Sequence, residues 1–237
     1  MTATTWLRRV AVAAGVGPAW ARRAYQDEVN MRLLLAFSLA ADSNCIDVGS
    51  HDGRFLAEMV RIAPLGRHVA YEPLPRFFAR LTTAFPGVDV RRAALSNVNG
   101  TSDFTYVKNL PAYSGFRRRK YPSKATIETI TVQTERLDDR LPSDYVPALI
   151  KIDVEGAEQL VIEGAMETLK RHRPIVVFEH GAGASDFYGT GPSDIYRLLC
   201  DGAGLRIFNL DGDGPYSLPQ LEAVYRRNEH WNFVAHR

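Results

Sequence analysis

Cysteine is nearly absent from the chain: it has only Cys45 and Cys200. Both fall in apolar patterns. This excludes a disulfide-stapled extracellular scaffold and predicts two buried, reduced thiols in a cytoplasmic protein. Charge of one sign is also lacking. A formal net charge of +2 is too small for a nucleic-acid binder or a polybasic membrane anchor, so neither is expected as a partner class. No apolar run reaches the roughly 18 to 20 residues that span a bilayer. The N-terminal run 10–14, lying between Trp6 and Trp20, is followed closely by Gly15 and Gly17. It reads as a helix packed over the domain, with a membrane-surface helix left open by Arg8, Arg9, Arg22 and Arg23. Internal repeats and low-complexity linkers are missing too. The 237 residues therefore suit one domain over 44–237, preceded by a helical extension over 1–43.

From residue 44 onward, strand-like and helix-like runs alternate, as in a parallel sheet with helices on both faces. Strands are predicted at 45–49, 69–72, 88–94, 149–153, 174–180, 205–210 and 231–236. Phe55, Leu56, Met59 and Val60 form one helical stripe, and Phe77, Phe78, Leu81 and Phe85 a second. Leu160, Val161, Gly164, Ala165 and Leu169 form a third. The expected fold class is α/β and Rossmann-like. Residues 101–134, rich in Thr, Tyr and charge, are expected to be irregular or to add short strands near the mouth of a site. A short helical run is expected within 211–228, after Asp-Gly-Asp-Gly-Pro.

The stretch Cys45-Ile46-Asp47-Val48-Gly49-Ser50-His51-Asp52-Gly53 ends a strand in an acid and a glycine, then turns into a helix. In open α/β sheets, ligands sit at the carboxyl ends of strands where the strand order reverses. Gly49 and Ser50 let backbone approach a ligand, and Gly53 opens a helix whose N-terminal amides face the pocket. Glu72 ends the next strand, about 25 residues on, where a carboxylate can accept from both hydroxyls of a ribose. The first glycine pair of the dinucleotide fingerprint is missing, which disfavours a nicotinamide-dependent dehydrogenase. Asp47 repels a pyrophosphate but suits a cation. S-adenosylmethionine carries both a sulfonium and an ammonium charge, and Asp47 is expected to hold the latter.

Three segments carry a family resemblance: Ile46-Asp47-Val48-Gly49 with Gly53; Tyr71-Glu72-Pro73 with Phe77; and Lys151-Ile152-Asp153-Val154-Glu155-Gly156-Ala157-Glu158. Ala93-Ala94-Leu95-Ser96 also fits. Over residues 44–208 the chain resembles the FkbM-type branch of class I S-adenosylmethionine-dependent methyltransferases. The resemblance implies a seven-stranded, mostly parallel sheet whose last strand is antiparallel, with backbone near Ala94 and Leu95 beside the adenine. It also implies methyl transfer to a hydroxyl oxygen of a sugar, a glycan or a glycosylated natural product. The family's loop usually carries small residues where this chain has Ser50-His51-Asp52.

A hydroxyl is a poor nucleophile, so a base or a metal ion beside it is expected. Asp153 ends the fourth strand and Glu179-His180 end the fifth, and neighbouring strands lie about 4.8 Å apart. His180 is the expected general base, with Asp153 near the methionine end of the cofactor or the acceptor hydroxyl. Glu179 would orient the histidine. Asp153 and Glu179, with Glu155, form an oxygen-rich set suited to Mg2+. The plainer reading of Glu155 and Glu158 is that of acids at a helix N-terminus. Tyr113-Ser114-Gly115-Phe116-Arg117-Arg118-Arg119-Lys120-Tyr121 reads as a solvated loop, or as one that closes over the acceptor with Tyr113, Phe116 and Tyr121 on a sugar ring. Asp186, Phe187 and Tyr188 are further acceptor-side candidates. Two other readings stay open: a methyltransferase directed at nitrogen or a carboxylate, and a non-catalytic S-adenosylmethionine-binding module. The apolar N-terminal segment covers the pocket or meets a second subunit in a homodimer.

Overall fold

The computed structural model describes residues 17–237; most of the N-terminal run between Trp6 and Trp20 lies outside them. The first half of the chain gives α1 (Ala19–Ser38), β1 (Asn44–Val48), α2 (Arg54–Ile62), β2 (Val69–Tyr71), α3 (Pro75–Ala84) and β3 (Asp89–Arg91). Then come β4 (Ala93–Leu95), β5 (Gly100–Val107), β6 (Ile127–Glu135), β7 (Pro147–Ile152), α4 (Glu158–Glu163) and α5 (Met166–His172). The chain closes with β8 (Ile175–Glu179), α6 (Pro192–Tyr196), β9 (Arg206–Asn209), α7 (Leu218–Arg227) and β10 (Asn232–His236).

Seven strands form one sheet in the order β3-β2-β1-β7-β8-β10-β9. β10 runs antiparallel to both of its neighbours, while the pairs among β3, β2, β1, β7 and β8 are parallel. The central strands are apolar almost throughout because both of their faces are covered. Ile46, Ile150, Val176 and Phe178 face one core cluster, and Cys45, Leu149 and Val177 the other. The chain winds outward from β1 to β3, then returns to β7 on the other side. A crevice therefore opens at the carboxyl ends of β1 and β7.

Three expectations change. Residues 88–94 are not one strand: after Arg91 the chain leaves the main sheet, and β4 pairs with β6 in a separate three-stranded sheet. The segment 101–134 is not built of short strands. β5 and β6 pair over eight positions, from Gly100 with Thr134 to Val107 with Ile127. The third helical stripe is broken between α4 and α5. Gly164 packs there so closely that a Cβ would lie 2.0 Å from the Ser96 carbonyl oxygen, and Asp138 caps the new start by accepting the N–H groups of Glu167 and Thr168.

α1 lays Met31 and Leu35 into the cluster around Cys45, Met59 and Leu149. Arg23 and Asn30 reach from it to the Asp211 carboxylate in the turn after β9. Both thiols are free, Cys45 buried and Cys200 half-buried. Among the described residues, no helix is long and apolar enough to cross a membrane.

Candidate active site

The carboxyl ends of β2, β1 and β7 border a cavity of about 360 Å³, in the size range of small-molecule sites. Gly49 stands at φ +76°, and a Cβ there would lie 1.9 Å from the Asp153 carbonyl oxygen. Only glycine lets the turn after β1 nest against the end of β7. Ser50 closes that turn by donating its hydroxyl to the Asp47 carbonyl at 2.9 Å. Glu72 is buried at the rim. One of its carboxylate oxygens accepts the His51 N–H at 2.8 Å, and the other accepts the Leu74 N–H at 2.9 Å. Burial pushes its pKa up to about 7 in spite of those bonds. Each oxygen keeps a further lone pair for a ligand hydroxyl. Ala94 and Leu95 line the same cavity.

His51 also lines it. Its backbone sits at φ +46° and its ring lies 4.1 Å from that of Phe77. The buried Nε2 has no hydrogen-bond partner among the described residues. Burial lowers the pKa of this ring, favouring the neutral form.

Two residues expected at the cofactor do not line this cavity. Asp47 is fully buried and does not line the cavity. Its register partner on β7 is Lys151, whose ammonium lies 3.3 Å from it, and neither carboxylate oxygen has a hydrogen-bond partner among the described residues. Gly53 does not line the cavity either. It stands at φ +78°, where a Cβ would lie 2.6 Å from Leu81, so its smallness serves the packing of α2 on α3.

Lys151 was not singled out as a site residue from the sequence. Its Nζ also donates to the Gly49 carbonyl at 2.9 Å and lies 3.4 Å from Asp153. Burial alone would favour its discharge, but Asp153 and Asp47 outweigh it and keep the ammonium charged. The signal was present: one lysine inside Leu149-Ile150-Lys151-Ile152, a run otherwise fit for a doubly covered strand.

Asp153, Glu155 and Glu179 each bring a carboxylate oxygen to within 4.8 Å of the others. Burial opposes the ionisation of Asp153, but Lys151 and its other neighbours outweigh that and hold its pKa below the usual carboxylate range. Burial and then Asp153 drive Glu179 well above that range. The same two causes push Glu155 up to about 8, although Arg119 pairs with it. The cluster therefore holds protons at neutral pH, and the donor set is one that a hard divalent cation could occupy instead. Glu158 opens α4, buried, and accepts the Val154 and Gly156 N–H groups at 3.0 and 3.1 Å. Its carboxylate braces the turn that carries Glu155.

His180 is not brought to this cluster. Successive strand residues face opposite sides, and while Glu179 points toward α1, the His180 ring lies 5.1 Å from that of Tyr225. It is 2% exposed, and neither ring nitrogen has a hydrogen-bond partner among the described residues. Burial lowers its pKa to about 4. Asp186 faces the same side, accepting from Tyr225 and from the Gly183 N–H. The 113–121 loop is not free in solvent. Phe116 lines the cavity and packs edge-on against Phe104, Arg119 reaches Glu155, and Tyr188 accepts the Arg117 N–H at 3.2 Å. Tyr113 and Tyr121 pack edge-on against each other.

The strand order and the cavity at its reversal are those of the class I methyltransferase fold. The chain belongs to the methyltransferase FkbM domain family, whose model matches residues 47–206. A crystal structure of methyltransferase FkbM from Methylobacillus flagellatus KT has a similar fold, with a TM-score of 0.54 at 14% identity, covering 84% of this chain and 44% of that one. Among curated proteins, the chain is similar to 2-O-methyltransferase NoeI of Sinorhizobium fredii, 30% identical over 56% of this chain and 61% of that protein. It is 28% identical to methyltransferase sdnD of Sordaria araneosa, over 55% and 63% of the two chains. It is also 28% identical to the hexuronic acid methyltransferase AglP of Haloferax volcanii, over 77% and 72%. The matches to the first two thus span about three fifths of those relatives' length.

Proposed function

We propose that the protein moves the methyl group of S-adenosylmethionine to a hydroxyl oxygen of a saccharide. Glu72 carries the cofactor reading. It is a buried carboxylate at a cavity rim, oriented through both oxygens by backbone N–H groups, and it has acceptor capacity left for two vicinal hydroxyls. The oxygen reading is supported by the name of one relative, a 2-O-methyltransferase, and the sugar reading by that of another, a hexuronic acid methyltransferase.

In the transfer, the acceptor oxygen attacks the methyl carbon in line with the sulfur. The carbon–sulfur bond breaks, its electron pair stays on sulfur, and the hydroxyl proton must leave. Asp153, the ionised partner of a protonated Glu179, would take that proton in place of His180. Holding donor and acceptor in line supplies much of the rate. Asp153, Glu155 and Glu179 are the residues that would hold Mg2+, and the ion would lower the pKa of the acceptor hydroxyl.

Calorimetric titration with S-adenosylhomocysteine tests the cofactor reading, with micromolar binding expected and none for NAD. Incubation with methyl-labelled S-adenosylmethionine and a saccharide should then yield an alkali-stable methyl ether. An alkali-labile product would favour carboxyl methylation, the second reading that the hexuronic acid relative raises. Rates after exhaustive chelation test the metal, and unchanged turnover would remove it.

A further inference from the structure

A second cavity, of about 480 Å³, lies between α1 and the strand ends that follow the cofactor cavity along the sheet edge. Moving from β2 to β1, β7 and β8, the edge presents Glu72, Gly49, Asp153 and Glu179 in turn, at steps of about 4.8 Å. A cofactor with its ribose at Glu72 and its sulfonium end toward Asp153 would therefore point its methyl group at this space. The two cavities share Arg54, Phe55, Lys151 and Asp153 as a common wall. We infer that the second cavity is the acceptor subsite, that α1 is its roof, and that it takes an uncharged or amino-bearing polyhydroxylated acceptor rather than an acidic one. This rests on the methyltransferase reading above.

The lining is two-sided. Tyr25, Met31 and Phe55 give it a hydrophobic wall, while Asp27, Asn232 and Glu179 supply polar groups. A pyranose ring has the matching character, with an apolar C–H face and a rim of hydroxyls. Its cations are already committed. Arg54 lies 3.6 Å from both Glu28 and Asp52, and Lys151 lies between Asp47 and Asp153. Asp27 is held by Arg23 and by the Asn232 amide at 2.9 Å. Without a metal ion on Asp153 and Glu179, an incoming carboxylate or phosphate would face the ionised Asp27 and Asp153 and find no uncommitted cation among the described lining residues, a steep desolvation cost.

The test uses the full chain, labelled S-adenosylmethionine, and the methyl glycosides of a neutral hexose, a 2-amino hexose and a hexuronic acid. Transfer to the neutral or amino glycoside in preference to the hexuronide is expected. Ala24→Trp, which fills the cavity from α1, should cut that transfer about 100-fold and leave S-adenosylhomocysteine affinity within twofold, roughly. Preference for the hexuronide, no transfer to any glycoside by cofactor-binding protein, or full activity in Ala24→Trp would overturn the inference. A wild-type protein that binds no S-adenosylhomocysteine would instead remove the methyltransferase reading itself.

Discussion

The two ends of the crevice are built in different ways. At β1 and β2 the polar groups are held by nearby backbone: Glu72 by the His51 and Leu74 N–H groups, Ser50 by the Asp47 carbonyl, Gly49 by its own dihedral angles. At β7 and β8 the carboxylates face one another and are balanced by charged side chains, Lys151 from β7 itself and Arg119 from the loop after β5. Backbone-held groups keep their geometry whatever their charge state. Groups held by facing charges depend on which of them carries a proton. The first construction suits recognition of an unchanging cofactor; the second suits a place where a proton has to move.

The sharpest way to break this comparison is Asp153→Asn. It should lower kcat by about 10²–10⁴-fold, or roughly 3–5 kcal/mol of transition-state stabilisation, with a much smaller change in S-adenosylhomocysteine affinity. An equal loss of both would mean that the two ends do not divide the work.

Next in size is His180. Its pKa in the folded state is about 4, against 6.5 for the free side chain, so the unfolded chain binds a proton that the native one refuses. Stability should therefore fall as pH drops from about 6.5 to 4, by up to about 3 kcal/mol. His180→Gln should flatten that slope in denaturant titrations and leave methyl transfer intact. Lost transfer with an unchanged slope would return the general base to His180.

Glu72→Gln should weaken S-adenosylhomocysteine binding by about 1–3 kcal/mol. Because ribose hydroxyls favour the ionised form and the free group titrates near 7, wild-type affinity should tighten between pH 6 and 8. The variant should lose that dependence. Smallest, His51→Ala should cost about 1 kcal/mol of cofactor affinity, with partial recovery in His51→Asn; equal binding in all three would confine His51 to packing on Phe77.

Legibility in the sequence follows the same division. The strand-turn-helix around Gly49 and the spacing to Glu72 are local, and local chemistry shows in a string of residues. The sheet could be read from its apolar runs because doubly covered strands leave an unmistakable pattern. The ion pair of Asp47 could not be read, because its partner is more than a hundred residues away and comes opposite it only once β1 and β7 pair. The position of His180 could not be read, because a strand that continues through Glu179 sends the next side chain to the far face. The β5–β6 hairpin hid behind a polar composition, since one of its faces is largely exposed and carries threonine and charge rather than an apolar run. The acceptor cavity left no local trace, being made by α1 and the ends of strands scattered through the rest of the chain.

The 1.9 Å that a Cβ on Gly49 would leave to the Asp153 carbonyl has a mechanical meaning. The part that would carry the donor and the part that would steer the nucleophile touch main chain to main chain, with no compliant side chain between them. Side chains can swing by an ångström at little cost, but two abutting peptide groups cannot. The line of attack would thus be referenced to a stiff backbone joint, as two optical elements are kept coaxial by seating both on one machined face.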